Sequence, residues 1–191
     1  MTESSPSGRP AVFLDRDGTL IDDLGFLADP ARAVLLPGVV EGLRLLRDRF
    51  ELFMVTNQVG VARGFLTMAE VERVNAHIVG QLAAAGVVIR HVYVCPHDRT
   101  ENCACHKPKP LFLHRAAADY GIDLARSYTV GDHDHDVTFG EAVGGTGIFV
   151  LTGHGARHRH ELPPGTLVVP DLLAAARLIL ELTLTPKQAR Q

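Results

Sequence analysis

At 191 residues, 46% of them hydrophobic, the chain is long enough to bury one sizeable core and short for two. Its formal net charge of −3 supplies no overall basic field, so no nucleic-acid partner is expected. The opening MTESSPSGRP has no apolar core, and no later run approaches the roughly 18 apolar residues of a membrane span, so a cytoplasmic protein is expected.

Along the chain, strand and helix patterns alternate. Residues 1–9 are polar and read as a disordered tail. A single domain is expected over 10–184, followed by a frayed 185–191, and the protein is expected to act as a monomer. Ala11–Asp15 (AVFLD) is a short buried strand. Residues 37–50 begin on a Pro-Gly signal and repeat Val39, Leu43, Leu46 and Phe50 at helical spacing. Glu51–Thr56 reads as the second strand. Residues 67–86 open with Thr67 and Glu70 in capping-box spacing and stop at Gly86. Val87–Val94 follows as a β-branched run, then a helix over Leu111–Tyr120, a strand over Ser127–Asp132 and a helix over Asp136–Val143. Strands over Gly147–Leu151 and Leu167–Val169 precede a last helix over Asp171–Leu182.

This alternation predicts a three-layer α/β fold of Rossmann-like type, a mostly parallel sheet with helices on both faces. In such sheets the strands' C-terminal ends share one crevice, where ligands bind. Asp15, Thr56, Cys95 and Asp132 all follow strands in this way.

The stretch VFLDRDGTLI delivers two carboxylates, Asp15 and Asp17, to that crevice. Held this close they repel one another unless a cation or a shared proton intervenes. One can bind Mg²⁺ and attack as a nucleophile while its neighbour serves as general acid, a division of labour that suits phosphoryl transfer. D-x-D alone usually marks an Asx turn, but D-x-D-G-T after an apolar strand is far more specific. Thr56 and Asn57 end a strand with a hydroxyl and an amide suited to phosphate oxygens. Asp132, at another strand tip, offers hard oxygen to Mg²⁺, and Asp136 lies at a helix start. Lys107, in HKPKP, adds a positive charge.

Together DRDGT, VTN, the lysine and GDxxxD resemble the haloacid dehalogenase superfamily of aspartate-nucleophile phosphatases, from Val12 to about Leu180. The resemblance implies that Asp15 is the nucleophile and a Mg²⁺ ligand. Asp17 would be the acid/base and offer its carbonyl to the metal. Thr56 and Asn57 would hold phosphate, Lys107 would balance charge, Asp132 would ligate Mg²⁺, and Asp136 would support the metal site.

The three cysteines fall within one short stretch, CPHDRTENCACHKPKP. Cys95, His97, Cys103 and Cys105 have the number and softness for a tetrahedral structural Zn²⁺, with no position left for catalytic water. Such a staple would order a long loop and fix Lys107. Zinc loop and phosphatase signature together resemble the histidinol-phosphate and heptose-bisphosphate phosphatase group, which is poor in cap domains, and TNQVGVARG is most similar to the D-glycero-D-manno-heptose 1,7-bisphosphate 7-phosphatases. A sugar bisphosphate substrate follows from that likeness. Histidinol phosphate, a broad range of sugar phosphates, and a zinc-bearing module that only grips phosphate stand as alternatives. Arg63, His106, Lys107 and Lys109 are expected to line the entrance, a basic set suited to a second phosphate. His106 and His133 stand where the heptose enzymes commonly carry arginine and lysine, which predicts less permanent positive charge. The segment His154–His160 reads as a solvated loop.

Overall fold

The computed structural model describes residues 8–184. Six parallel strands form one sheet in the order β3-β2-β1-β4-β5-β6: β1 (Ala11–Leu14), β2 (Glu51–Asn57), β3 (His91–Cys95), β4 (Tyr128–Gly131), β5 (Thr146–Val150) and β6 (Leu167–Val169). The connectivity reverses between β1 and β4, which pair directly. Their C-terminal ends therefore diverge into a crevice at the switch point of a doubly wound sheet.

Alternation along each strand divides the core in two. Val12 and Leu14 of β1 join a cluster with Leu43 and Leu46 of α1 (Val39–Leu46), Val74 and Ile78 of the helix Met68–Ala84, and Ala175 and Ile179 of the C-terminal helix Leu172–Leu184. Ala11 and Phe13 point the other way. They pack with Phe53, Tyr93, Phe112 of the helix Leu111–Tyr120 and Phe139 of the helix Asp134–Glu141. Fully buried strands covered on both faces read as continuous apolar runs, as β1 and β2 do. Including the short helix Val59–Ala62 as α2, the long helix is α3, Leu111–Tyr120 is α4 and Asp134–Glu141 is α5. Gly155–His158 is α6 and Leu172–Leu184 is α7.

The six expected strands and five expected helices are all present. Leu111–Tyr120 and Leu167–Val169 have the expected bounds, and Thr67 caps α3 through the expected box with Glu70. Most other bounds shift by a residue or two, and three departures stand out. The run Val87–Val94 pairs only from His91: Val87 turns inward beneath α3, while Val88 is 73% exposed. The first helix ends at Leu46 and gives way to turns before Phe50. Finally, α5 starts at Asp134, two residues before the expected position.

Of the expected tails, residues 185–191 and most of 1–9 lie outside the described residues. Arg9 is described. It bridges Ile122 and pairs with Glu51 at 2.8 Å, which ties it to the domain ahead of β1. Between β1 and α1, Leu20, Ile21 and Leu27 fold back into the core and leave no large cap over the crevice. No helix among the described residues is long and apolar enough to cross a membrane.

Candidate active site and cysteine loop

The crevice between β1 and β4 opens into a cleft of about 280 Å³, near the lower end of small-molecule sites, with Asp15 and Asp17 in its wall. The backbone N–H of Asp15 donates to the carbonyl of Val130 at 2.9 Å, fixing the aspartate beside β4. One carboxylate oxygen from each of Asp15, Asp132 and Asp136 falls within 4.8 Å of the others. This convergence requires Gly18, whose φ is +81° and where a Cβ would run into the Asp132 carboxylate.

Three nearby carboxylates need cationic company. Lys107, 2% exposed, supplies it from beneath: its Nζ donates to Asp15 Oδ1 and Asp136 Oδ1, both at 2.6 Å, and to the carbonyl of Val55 at 3.0 Å. Burial works to lower the Lys107 pKa, but Asp136 and Asp15 outweigh it and hold the ammonium charged. Burial also pushes the Asp15 carboxyl well above the usual carboxylate range against the pull of Lys107, with Asp136 and Asp132 adding to the rise. Asp136 is held low, because Lys107 and then His135 overcome its burial. In the protein alone, therefore, the negative charge on the lysine rests on Asp136. Asp136 also accepts from the His133 N–H through Oδ2 at 3.2 Å, capping α5.

Asp17 is gripped separately. Arg16, fully buried, donates to it through Nε and Nη2 at 3.0 Å and anchors on Asn75 Oδ1, also at 3.0 Å. Gln58 Nε2 donates to Asp17 Oδ2 and to Thr56 Oγ1, both at 2.8 Å. Burial raises the Asp17 pKa despite Arg16 and Gln58, so this carboxyl keeps its proton to higher pH than a free aspartate. Thr56 and Asn57 line the cleft as expected, and Asn57 Oδ1 also accepts from the Lys107 N–H at 3.2 Å.

The entrance needs correction. Lys107 lies below the floor of the cleft. Lys109 turns to the carbonyls of Asn102 and Cys103 and to Asn102 Oδ1, bracing the cysteine loop. Arg63 and His106 do line the cleft, joined by Arg99. Arg63 Nε donates to Asp98 Oδ2 at 2.7 Å, which sets the guanidinium at the rim. His133 Nδ1 contacts Asp132 Oδ1 at 2.7 Å, and that bond raises its pKa to about 9 against burial. Sequence reasoning passed over Arg16, Gln58 and Arg99. Arg16 carried a signal, since an arginine between two strand-end aspartates is well placed to pair with one.

Around the cysteine loop, the sulfurs of Cys95, Cys103 and Cys105 lie 3.2–3.6 Å apart, too far for disulfides. His97 Nδ1 lies 3.3 Å from Cys105 and 3.8 Å from Cys95. A zinc tetrahedron with arms of ~2.3 Å has edges of roughly 3.8 Å, so the four donors fit that ion with little adjustment. Burial pushes the Cys95 thiol up, and crowding by Cys105 and Cys103 adds to it. Without a cation, three gathered thiolates would be costly. Oxygen donors suit magnesium in the same way at Asp15 and Asp132.

Residues 104–175 match the family model described as HAD-hydrolase-like, and the chain is a haloacid dehalogenase-like hydrolase of phosphoric monoesters. It is 33% identical over 176 residues to the D-glycero-β-D-manno-heptose-1,7-bisphosphate 7-phosphatase of Pseudomonas aeruginosa, covering 91% of this chain and 99% of that protein. To the protein of the same name from Escherichia coli K12 it is 37% identical, over 75% of this chain and 80% of that one. The crystal structure of D,D-heptose 1,7-bisphosphate phosphatase from B. bronchiseptica, complexed with magnesium and phosphate, superposes with a TM-score of 0.82. It is 33% identical, over 90% of this chain and 98% of that chain. The chain belongs to the family of these heptose-bisphosphate phosphatases.

Proposed function

We propose that this phosphatase removes the 7-phosphate of D-glycero-D-manno-heptose 1,7-bisphosphate. The observation that carries the reading is the pair of arginines, Arg63 and Arg99, that line the same cleft as Asp15 and Asp17, where a second phosphate would lie; His106 lines it too, with its pKa held below the ordinary imidazole value by burial and by Arg99. Histidinol phosphate would bring a cationic amine to those arginines instead. The names borne by relatives at 33–39% identity support the same substrate.

In this mechanism Asp15 attacks phosphorus as the carboxylate and becomes an aspartyl-phosphate. Asp17, whose pKa burial raises, gives its proton to the departing sugar oxygen. It then takes a proton from the water that opens the acyl phosphate. Thr56 and Asn57 hold phosphate oxygens, and Lys107 steadies Asp15 and Asp136. Asp15, the Asp17 carbonyl and Asp132 would hold Mg²⁺, with Asp136 in support; the bound ion supplies charge that favours ionised Asp15 and offsets the phosphate's. Cys95, His97, Cys103 and Cys105 would hold Zn²⁺, which ties the loop carrying His106 and Lys107 to the end of β3.

The test compares kcat/KM across heptose 1,7-bisphosphate, histidinol phosphate and hexose phosphates. The heptose bisphosphate should exceed histidinol phosphate by at least ~10-fold, about one good charged contact, and Arg63→Ala should erase most of that margin. A preference for histidinol phosphate would overturn the substrate, and an unchanged ratio in the variant would remove Arg63 from it.

A further inference from the structure

The segment expected to be a solvated loop folds as α6 and brings His154 and His158 beside His133, which belongs to the β4–α5 turn. Ring centroids lie 5.7 Å apart for His133 and His154 and 5.2 Å apart for His133 and His158, and one nitrogen from each of the three rings falls within 4.8 Å of the others. The placement is built into the backbone. The His154 N–H donates to Asp132 Oδ2 at 2.8 Å, and at Gly155 a Cβ would run into the carbonyl of Val150, so α6 sits tight on the end of β5.

The surroundings of the rings are more telling than their proximity. Each Nδ1 faces a different carboxylate: His133 faces Asp132 at 2.7 Å, His158 faces Glu161 at 2.9 Å and His154 faces Asp23 at 3.5 Å. A carboxylate on one ring nitrogen sets the tautomer, raises the basicity of the other nitrogen and is the usual support of a metal-bound histidine. Here it occurs three times around one point. Three imidazoles, with nearby carboxylate charge to offset a dication, suit a borderline metal such as zinc, nickel or cobalt far better than magnesium. All three rings are partly exposed, at 29%, 38% and 35%, leaving room for water or an anion as a fourth ligand.

We infer that His133, His154 and His158 form a second transition-metal site at the rim of the cleft, chemically distinct from the cysteine loop and from the carboxylate site for magnesium. Cobalt provides the test, added to the metal-depleted full-length protein in excess Mg²⁺ so that the carboxylates are already occupied. Cobalt held by thiolates gives sulfur-to-metal charge-transfer bands that an all-imidazole site lacks, so the two sites report separately. The expected result is one further equivalent bound without those bands, with affinity reduced at least ~10-fold in each of His154→Ala and His158→Ala. Calorimetry with zinc on the same proteins should give the same count. Absence of the band-free equivalent would overturn the inference, as would its undiminished binding by a folded His154→Ala/His158→Ala double variant.

Discussion

Replacing Lys107 by methionine keeps an unbranched side chain one atom shorter and removes the terminal ammonium with its charge and its hydrogen bonds. The loss is large because nothing can take its place. The lysine is 2% exposed, its two carboxylate partners are 11% and 3% exposed, and both contacts are 2.6 Å. Hydrogen bonds to charged groups contribute roughly 1.5–3 kcal/mol each, and breaking a buried ion pair by removing one partner costs about 3–5 kcal/mol. The upper sum does not apply. Asp15 already resists ionisation, so the stranded charge is chiefly that of Asp136, and about 3–5 kcal/mol is the expected cost in the metal-free protein. At roughly 2–4 °C per kcal/mol for a chain of this size, the melting temperature should fall by about 6–20 °C. The stranded Asp136 would have its folded pKa raised. The deficit should therefore be full at neutral pH and narrow as acid protonates the group. Scanning calorimetry of metal-free protein at several pH values measures this, and phosphate release in saturating Mg²⁺ should drop by at least ~10². A variant melting within ~2 °C of wild type at pH 7 would refute the assignment of Lys107 as the counter-charge of the site.

Asp15→Asn should lose at least ~10³ in kcat in single-turnover phosphate release, and substantial turnover by the folded variant would end the nucleophile assignment. Asp17→Asn should be severe for leaving groups of high pKa and mild for those that depart unaided, whereas equal losses would argue against a general acid. Cys103→Ser should lower both the zinc content and the melting temperature, and its turnover should slow as Lys107 loosens; a zinc-free wild type as stable as the variant would contradict the staple. Asp98 is held at about 2, below its ordinary 3.8, first by the Thr100 N–H and then by Arg63. A depressed folded pKa stabilises above the unfolded value, so the advantage of wild type over Asp98→Asn in urea titrations should shrink as pH falls from about 4 toward 2. An advantage independent of pH would assign it to packing.

Short-range signals in the sequence proved dependable where local chemistry decides the outcome. The Thr67–Glu70 box starts α3, and the two motifs that end β1 and β4 meet across the switch point because their spacing already placed both at strand tips. What stayed hidden depends on partners far along the chain. HKPKP has the composition of an exposed turn, and Lys107 is buried only because Asp15 and Asp136, 92 and 29 residues away, need it. Arg16 is buried by pairing with Asp17 and with Asn75, and the Asn75 partnership cannot be read from the motif. The histidine-rich stretch 154–160 hinted at a metal but read as a solvated loop, because the third ring that meets His154 and His158 comes from another loop. Val87–Arg90 shows the opposite failure: β-branched residues suit a strand, but a strand also needs a neighbour, and the ladder to β2 begins only at His91.

The placement of β4 beside β1 also governs when the site can come into being. Asp15, the proposed nucleophile, directly follows β1, whereas its neighbour Asp132 directly follows β4, which is made only after β2 and β3. β2 can pair with β1, and β3 with β2, in the meantime, leaving the other edge of β1 open. Such an intermediate exposes a bare strand edge, and its reactive aspartate still lacks the residues after β3 that will surround it. Activity should therefore require β4 beside β1: a fragment that ends before β4 lacks Asp132 and Asp136, and a nascent chain should stay inert toward phosphorylated metabolites until β4 has docked.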